Sequence, residues 1–274
     1  MGQVAEVRPP AVAGSFYPGD ARALRRDLRG LLAGAVLESE TWGEAPPKAL
    51  IVPHAGYIYS GPVAASAYAT LGTQRDRIKR VVLLGPTHRV AIAGLALPGV
   101  SAFETPLGLV PLDLAAMEQV QSFPQVLISP AAHALEHSLE VQLPFLQTVL
   151  DAFHLVPLAV GEASPESVAE VIEALWGGPE TLVIVSSDLC HYRPYHEARE
   201  LDARTWDSIQ DLQMLRSHEQ ACGATPLNGL LLAARRRGLK PRLLDLRNSG
   251  DTAGDHRSVV GYGAFAFANA DDGT

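Results

Sequence analysis

Three apolar runs of strand length each end on a side chain that can bind a metal or carry a proton. Ala-Leu-Ile-Val-Pro runs into His54, Val-Val-Leu-Leu-Gly-Pro-Thr into His88, and Thr-Leu-Val-Ile-Val-Ser-Ser into Asp188, with His191 three residues on. Runs this continuous lack the alternation of a strand with one wet face, so they predict strands covered on both sides. Between the runs lie stretches with helical spacing. Asp20 precedes a stripe of Leu24, Leu28, Leu31 and Leu32, which predicts a capped helix over 20–34. Further helices are predicted over 62–71, 112–122, 135–153, 164–176, 197–215 and 226–237, with a kink or break at Pro144. Strands are predicted over 48–53, 80–85, 92–97, 154–160, 181–186, 242–246 and 259–267, and a loop over 35–47. This alternation predicts an α/β fold, with a mostly parallel or mixed central sheet and helices on both faces. The last strand follows a loop with no helix, so part of the sheet is expected to be antiparallel. No repeat or long linker divides the chain, which reads as one domain over 1–274 with a frayed tail at 270–274.

Charge and composition exclude several function classes. The formal net charge is −8 and charged residues make up 19% of 274 residues, so no basic surface for nucleic acid is expected. The basic run Arg235, Arg236 and Arg237 falls at a helix end, where it complements the dipole. No apolar stretch reaches the ~18 residues of a membrane span, and no signal-peptide core is present near Met1. The expected location is cytoplasmic, with no membrane association and with Cys190 and Cys222 reduced.

In open α/β sheets, ligands lie beyond the carboxyl ends of the strands. Three separate strands delivering His54, His88 and Asp188 to that edge therefore predict one pocket, with His191 beside it. A lone histidine at a strand end is ordinarily a structural or surface residue; the shared topological position is what raises these above that reading. Ala55, Gly56, Ser60 and Gly61 leave room for close backbone approach. Cys222 precedes a helix opened by Pro226, where a thiol is expected to ionise more easily. Position alone fits a small buried apolar residue equally well. Cys190 is expected to point into the core. On the predicted 135–153 helix, His137 and Glu140 would lie near one face with His133 and could line a pocket as a polar pair. Glu does not follow His133, so a zinc-protease helix is disfavoured. Tyr57 and Tyr59 could hold an aromatic side chain, whereas His154, His196, His218 and His256 read as structural or exposed.

Two histidines with one anionic ligand follow the logic of non-haem iron sites, here with a thiolate in place of a carboxylate. Sulfur softens the set, so Fe(II) is favoured with copper or zinc as alternatives. Asp188 and His191 would act beside the metal as orienting and proton-transfer groups. A non-catalytic peptide-binding or metal-sequestering module uses the same pocket, and a zinc-water hydrolase is a third option.

Several motifs resemble the Memo family. They are Arg-Pro-Pro-Ala-Val-Ala-Gly-Ser-Phe-Tyr-Pro (8–18), Pro-His-Ala-Gly-Tyr-Ile-Tyr-Ser-Gly (53–61), Leu-Gly-Pro-Thr-His (84–88) and Glu-His-Ser-Leu-Glu-Val-Gln-Leu-Pro-Phe-Leu (136–146). Ser-Ser-Asp-Leu-Cys-His-Tyr (186–192), Ala-Cys-Gly (221–223) and the segment from Asn-Ser-Gly-Asp to Val-Val-Gly-Tyr-Gly-Ala (248–264) follow in order. Microbial members are called AmmeMemoRadiSam system protein B. The resemblance implies a fold like that of the class III extradiol dioxygenases and metal ligands at His54, His88 and Cys222. It implies further pocket residues at Asp188 and His191, with His191 matching the dioxygenases' acid/base histidine. Those enzymes use a carboxylate where this chain has Cys222. Eukaryotic relatives are described as binding phosphotyrosine peptides and as redox-active, so the implied substrate is a small or peptide-borne aromatic. The family name also implies a functional link to AMMECR1-like and radical SAM proteins.

Overall fold

The computed structural model describes residues 6–35 and 46–269, so most of the predicted loop over 35–47 and the tail at 270–274 lie outside the described residues. Its elements are β1 (Val7–Arg8), α1 (Ala21–Ala33), β2 (Ala49–Val52), α2 (Tyr57–Ala69), β3 (Arg80–Pro86), β4 (Leu95–Leu97), β5 (Ala102–Thr105), β6 (Gly108–Pro111), α3 (Leu114–Gln121), β7 (Val126–Ile128), α4 (Pro130–Ala134), α5 (Leu143–Val149), β8 (His154–Val160), α6 (Pro165–Ala174), β9 (Thr181–Ser186), β10 (His191–Arg193), α7 (Tyr195–Gln210), α8 (Ala224–Arg236), β11 (Leu239–Asn248), α9 (Ser249–Thr252) and β12 (Val259–Asn269).

The sheet runs β10-β12-β2-β9-β3-β8-β4-β7, with β11 also on β12. Its centre is parallel: Val52 registers with Ser186 across β2 and β9, and Leu84 with Val185 across β3 and β9. Strand β8 continues the parallel set beside β3, while β12 runs antiparallel to both β2 and β11. The sheet is therefore mixed. Every residue of β2 and β9 is buried, so both faces are covered, as their unbroken apolar sequences require. Helix α2 packs on β2, β11 and β12, α7 on β11 and β12, and α8 on β3 and β9 with α6 against it. No described helix is long and apolar enough to cross a membrane.

The predicted helix over 135–153 is corrected. Helix α4 stops at Ala134, a single 3-10 turn covers Glu140–Gln142, and α5 opens with Pro144 in its first turn. In a continuous helix the Pro144 ring would strike the carbonyl of residue 140; at a helix start it costs nothing. His133 and His137 thus do not share a helical face. The small sheet β1-β5-β6 was not expected from the sequence either.

That break lets the amino-terminal segment lock in. The buried Arg8 donates from Nε to the His133 carbonyl at 2.9 Å, from Nη2 to the Glu136 carbonyl at 2.7 Å, and from Nη1 to Glu140 at 2.5 Å. Glu140 also accepts from the backbone of Ala11 and Val12 and from the Tyr17 hydroxyl at 2.6 Å. With four donors directed at its carboxylate and no surface exposed, Glu140 is a structural anchor and not a pocket residue, which corrects its pairing with His137. On α7, the buried Asp202 accepts from the Cys190 amide at 3.1 Å. It lies so close to Gly261 that a Cβ there would meet its carboxylate at 2.0 Å.

Two stability outcomes follow. Glu140→Ala leaves the Arg8 guanidinium buried and unpaired, so urea denaturation should show a loss of about 3–5 kcal/mol. A loss under about 1 kcal/mol would mean that the ion pair contributes nothing net. Burial pushes the Asp202 carboxyl up to about 6, against the opposing amide bond from Cys190. The folded state then holds this proton more tightly than the unfolded state. Its stabilising effect is full below about pH 4 and lost as pH rises through about 6, on the order of 3 kcal/mol in all. Asp202→Asn should remove that part of the pH slope; an unchanged slope would show that the carboxyl titrates normally.

Candidate metal centre

Strands β2, β9 and β3 are parallel neighbours, so the residues just past their carboxyl ends stand side by side. His54 follows β2, Asp188 follows β9 and His88 follows β3. Asp188 joins two of the turns: its Oδ1 accepts the His54 amide at 2.6 Å, and its carbonyl accepts the Cys222 amide at 3.2 Å. The second contact brings the start of α8 to the same edge. Gly223 tightens that approach, because its amide donates to Ser187 Oγ at 2.9 Å and an added Cβ would lie 2.7 Å from the Ser187 Cβ.

Cys222 Sγ lies 3.3 Å from His54 Nε2. The ligand-capable atoms of His54, His88 and Cys222 all fall within 4.8 Å of one another. Three donors around a tetrahedral zinc would stand about 3.3–3.6 Å apart, so a small closure of the side chains fits them to an ion. His88 is clamped by Glu136, which accepts the His88 amide at 2.5 Å and Nδ1 at 2.8 Å. A buried carboxylate behind an imidazole is the usual support of a metal-ligating histidine. His54 has a neutral partner, Ser186 Oγ, 2.9 Å from Nδ1.

A third imidazole completes the cluster. His137 stacks on His88 with ring centroids 4.6 Å apart and meets His54 edge-on at 5.4 Å. His137, His88 and Glu136 form a second group of ligand-capable atoms that shares His88 with the first. Burial, with the neighbouring imidazoles, lowers His54 to about 3 and His137 to about 4, so both rings are neutral near pH 7. Burial alone would raise Glu136, but the hydrogen bonds from His88 outweigh it and hold the carboxyl at about 2. Cys222 departs from expectation. Burial, then the Asp188 charge, pushes its thiol up to about 12, and this outweighs the adjacent helix start. A cation is the partner that would favour its thiolate.

The site opens into a two-lobed cleft. One lobe of about 500 Å³ is floored by Pro86, Ile92 and Val160, the other of about 610 Å³ carries His191, Tyr192 and Arg193, and both end on His88, His218 and Cys222. His191 is anchored by a bond from Nδ1 to the Leu189 carbonyl at 2.9 Å. Between it and Arg193 the pairing with β12 slips, and Tyr192 takes a φ of 57° that leaves its ring 75% exposed at the cleft mouth.

The structure therefore brings His54, His88, Cys222, Asp188, His191 and His137 together. Tyr57 stays out: its hydroxyl donates to the Val141 carbonyl at 2.8 Å and its ring packs against Phe145 in the core. Cys190 is fully buried beside Ala198 and Val259, as expected. Three residues of the site were missed from sequence. Glu136 directly precedes His137, yet the predicted helix directed attention to Glu140. Ser186 is the last residue of β9 and read as part of the strand. His218 precedes Cys222 by four positions, a His-x-x-x-Cys spacing that carried the signal; its Nδ1 lies 3.2 Å from the Cys222 carbonyl.

Fold and site together define an α/β protein with a His2Cys cluster beyond its strand ends. The family model described as Memo-like protein matches residues 8–266, and the chain belongs to the Memo family. It is 35% identical to a MEMO1 family protein of Metallosphaera sedula, over 96% of this chain and 99% of the relative. It is 36% identical to those of Sulfolobus acidocaldarius and Aquifex aeolicus, over 96% and 95% of this chain and 100% and 99% of theirs. The solved structure of the uncharacterized protein JW3007 from Escherichia coli K12 shares the fold, with a TM-score of 0.52 at 13% identity over 80% of this chain and 98% of the other.

The two cysteines separate ligation from packing. Cys222→Ser should weaken zinc binding by at least a factor of ten in a chelator competition, because a neutral hydroxyl replaces a thiolate, whereas Cys190→Ser should leave it unchanged. Equal effects of the two would remove Cys222 from the site.

Proposed function

We propose that the protein holds a transition-metal ion on His54, His88 and Cys222 and is a dioxygenase-like oxidoreductase acting on a small or peptide-borne aromatic substrate. The observation that carries this reading is the convergence of two imidazoles and one thiol on the end of a cleft that His191 also lines. The donor set fits Fe(II) first, with copper or zinc as alternatives. Iron or copper, when bound, would supply a redox centre, and zinc only Lewis acidity. The chain's own residues do the rest. His191 donates from Nδ1 to the Leu189 carbonyl, which leaves Nε2 with a lone pair to take a proton from a substrate hydroxyl. Asp188 holds the His54 backbone through its side chain and the Cys222 backbone through its carbonyl, so it ties the two turns together. The cleft walls supply the apolar surface an aromatic ring needs. Reduced thiols fit a cytoplasmic setting.

A second reading, a non-catalytic module that binds peptides or sequesters iron or copper, draws on the exposed Tyr192 and Tyr59. Elemental analysis of chelator-free protein followed by oxygen uptake on a catechol and phenol panel decides between them. The oxidoreductase reading expects bound metal and turnover that His191→Ala reduces by a factor of about 10²–10⁴. Bound metal with no uptake on any compound favours the second reading, and no metal before or after reconstitution overturns both the oxidoreductase and metal sequestration, leaving peptide binding alone.

A further inference from the structure

His54 is held by a chain of buried groups whose hydrogen-bond directions are all fixed. Ser186 Oγ has three partners: the Ser138 carbonyl at 2.6 Å, Gln142 Nε2 at 2.8 Å and His54 Nδ1 at 2.9 Å. A carbonyl only accepts, so the single hydroxyl proton points at Ser138. The Gln142 amide is oriented in the same way. Its Nε2 donates to the Pro53 carbonyl at 2.9 Å, and its Oε1 accepts the Tyr68 hydroxyl at 2.7 Å. Nε2 therefore donates its second proton to Ser186. With its proton given away and one lone pair filled, Ser186 can only accept from His54. Ser138, Gln142, Ser186 and Tyr68 are all fully buried, so no water competes for these positions.

We infer that Ser186, locked by Gln142 and Ser138, is the positioning residue that keeps the proton of His54 on Nδ1 and leaves the Nε2 lone pair facing Cys222. Glu136 imposes the same outcome on His88, since a carboxylate beside Nδ1 also only accepts. Both rings thus have Nδ1 held as the donor, His88 by a charged partner and His54 by a neutral chain. The neutral chain leaves His54 the weaker electron donor of the pair. A tautomer set by the fold means that no ring must flip or exchange protons before it can bind an ion.

The test has two arms. The first is independent of any metal: a long-range proton–nitrogen correlation spectrum of the full chain with 15N-histidine, with His54 assigned by its loss in His54→Asn. The expected pattern is a protonated Nδ1 and an unprotonated Nε2; a protonated Nε2 in the wild type overturns the inference. The second arm rests on the proposed function and uses zinc in a chelator competition. Ser186→Ala should scramble the His54 tautomer and weaken zinc binding about 10–100-fold, while Ser186→Thr, which keeps the hydroxyl, should retain both. An unchanged tautomer in Ser186→Ala overturns the role given to Ser186. The expected tautomer in a wild-type protein that binds no zinc would sink the metal reading and leave the positioning role standing.

Discussion

The chemistry of this protein depends on the parallel pairing of β2, β9 and β3. Parallel neighbours end at the same edge, so three turns that are distant in sequence deliver His54, Asp188 and His88 to adjoining positions. Antiparallel pairing would have sent the middle group to the opposite edge. The pairing holds because each strand carries an unbroken apolar run, Ala49–Val52, 81–84 or 182–185, that is buried on both faces. Asp188 then converts adjacency into a site, since one residue satisfies the His54 amide through its carboxylate and the Cys222 amide through its carbonyl.

Charge explains why such a site needs a further partner. Asp188 is buried, and desolvation raises its carboxyl despite the His54 amide bond and the facing imidazoles. The same burial keeps His54 and His137 neutral and disfavours the Cys222 thiolate. His54 and His137 thus offer lone pairs and no positive charge of their own. In a low-dielectric cleft end, a cation is the natural counterpart for such a set. Glu136, held as an anion by His88 and the Ser138 amide, adds negative charge behind it.

The central strands β2, β3, β8 and β9 and the residues beyond the ends of β2, β3 and β9 were legible in sequence, because unbroken apolar runs mark them, whereas the three-residue strands β7 and β10 were not. The connection between His133 and Gln142 was not. Its apolar spacing mimics a helix, and the signals that break it are tertiary: Arg8, more than a hundred residues away, takes the His133 and Glu136 carbonyls, and Glu140 takes the backbone of Ala11 and Val12. Mistaking a loop for a helix made Glu140 a pocket partner and hid Glu136. The β5–β6 hairpin was missed because its strands are four residues each and Glu104 and Leu109 face solvent, so no buried run marks them. The thiol chemistry of Cys222 was misjudged because a helix start is visible in sequence, whereas the depth of burial is not.

The central claim is that His54, His88 and Cys222 meet on one ion. X-ray absorption on the zinc-loaded protein reads that shell directly. The structure predicts one sulfur at about 2.3 Å and two imidazole nitrogens at about 2.0–2.1 Å. A shell of nitrogen and oxygen alone, with no sulfur, would contradict it.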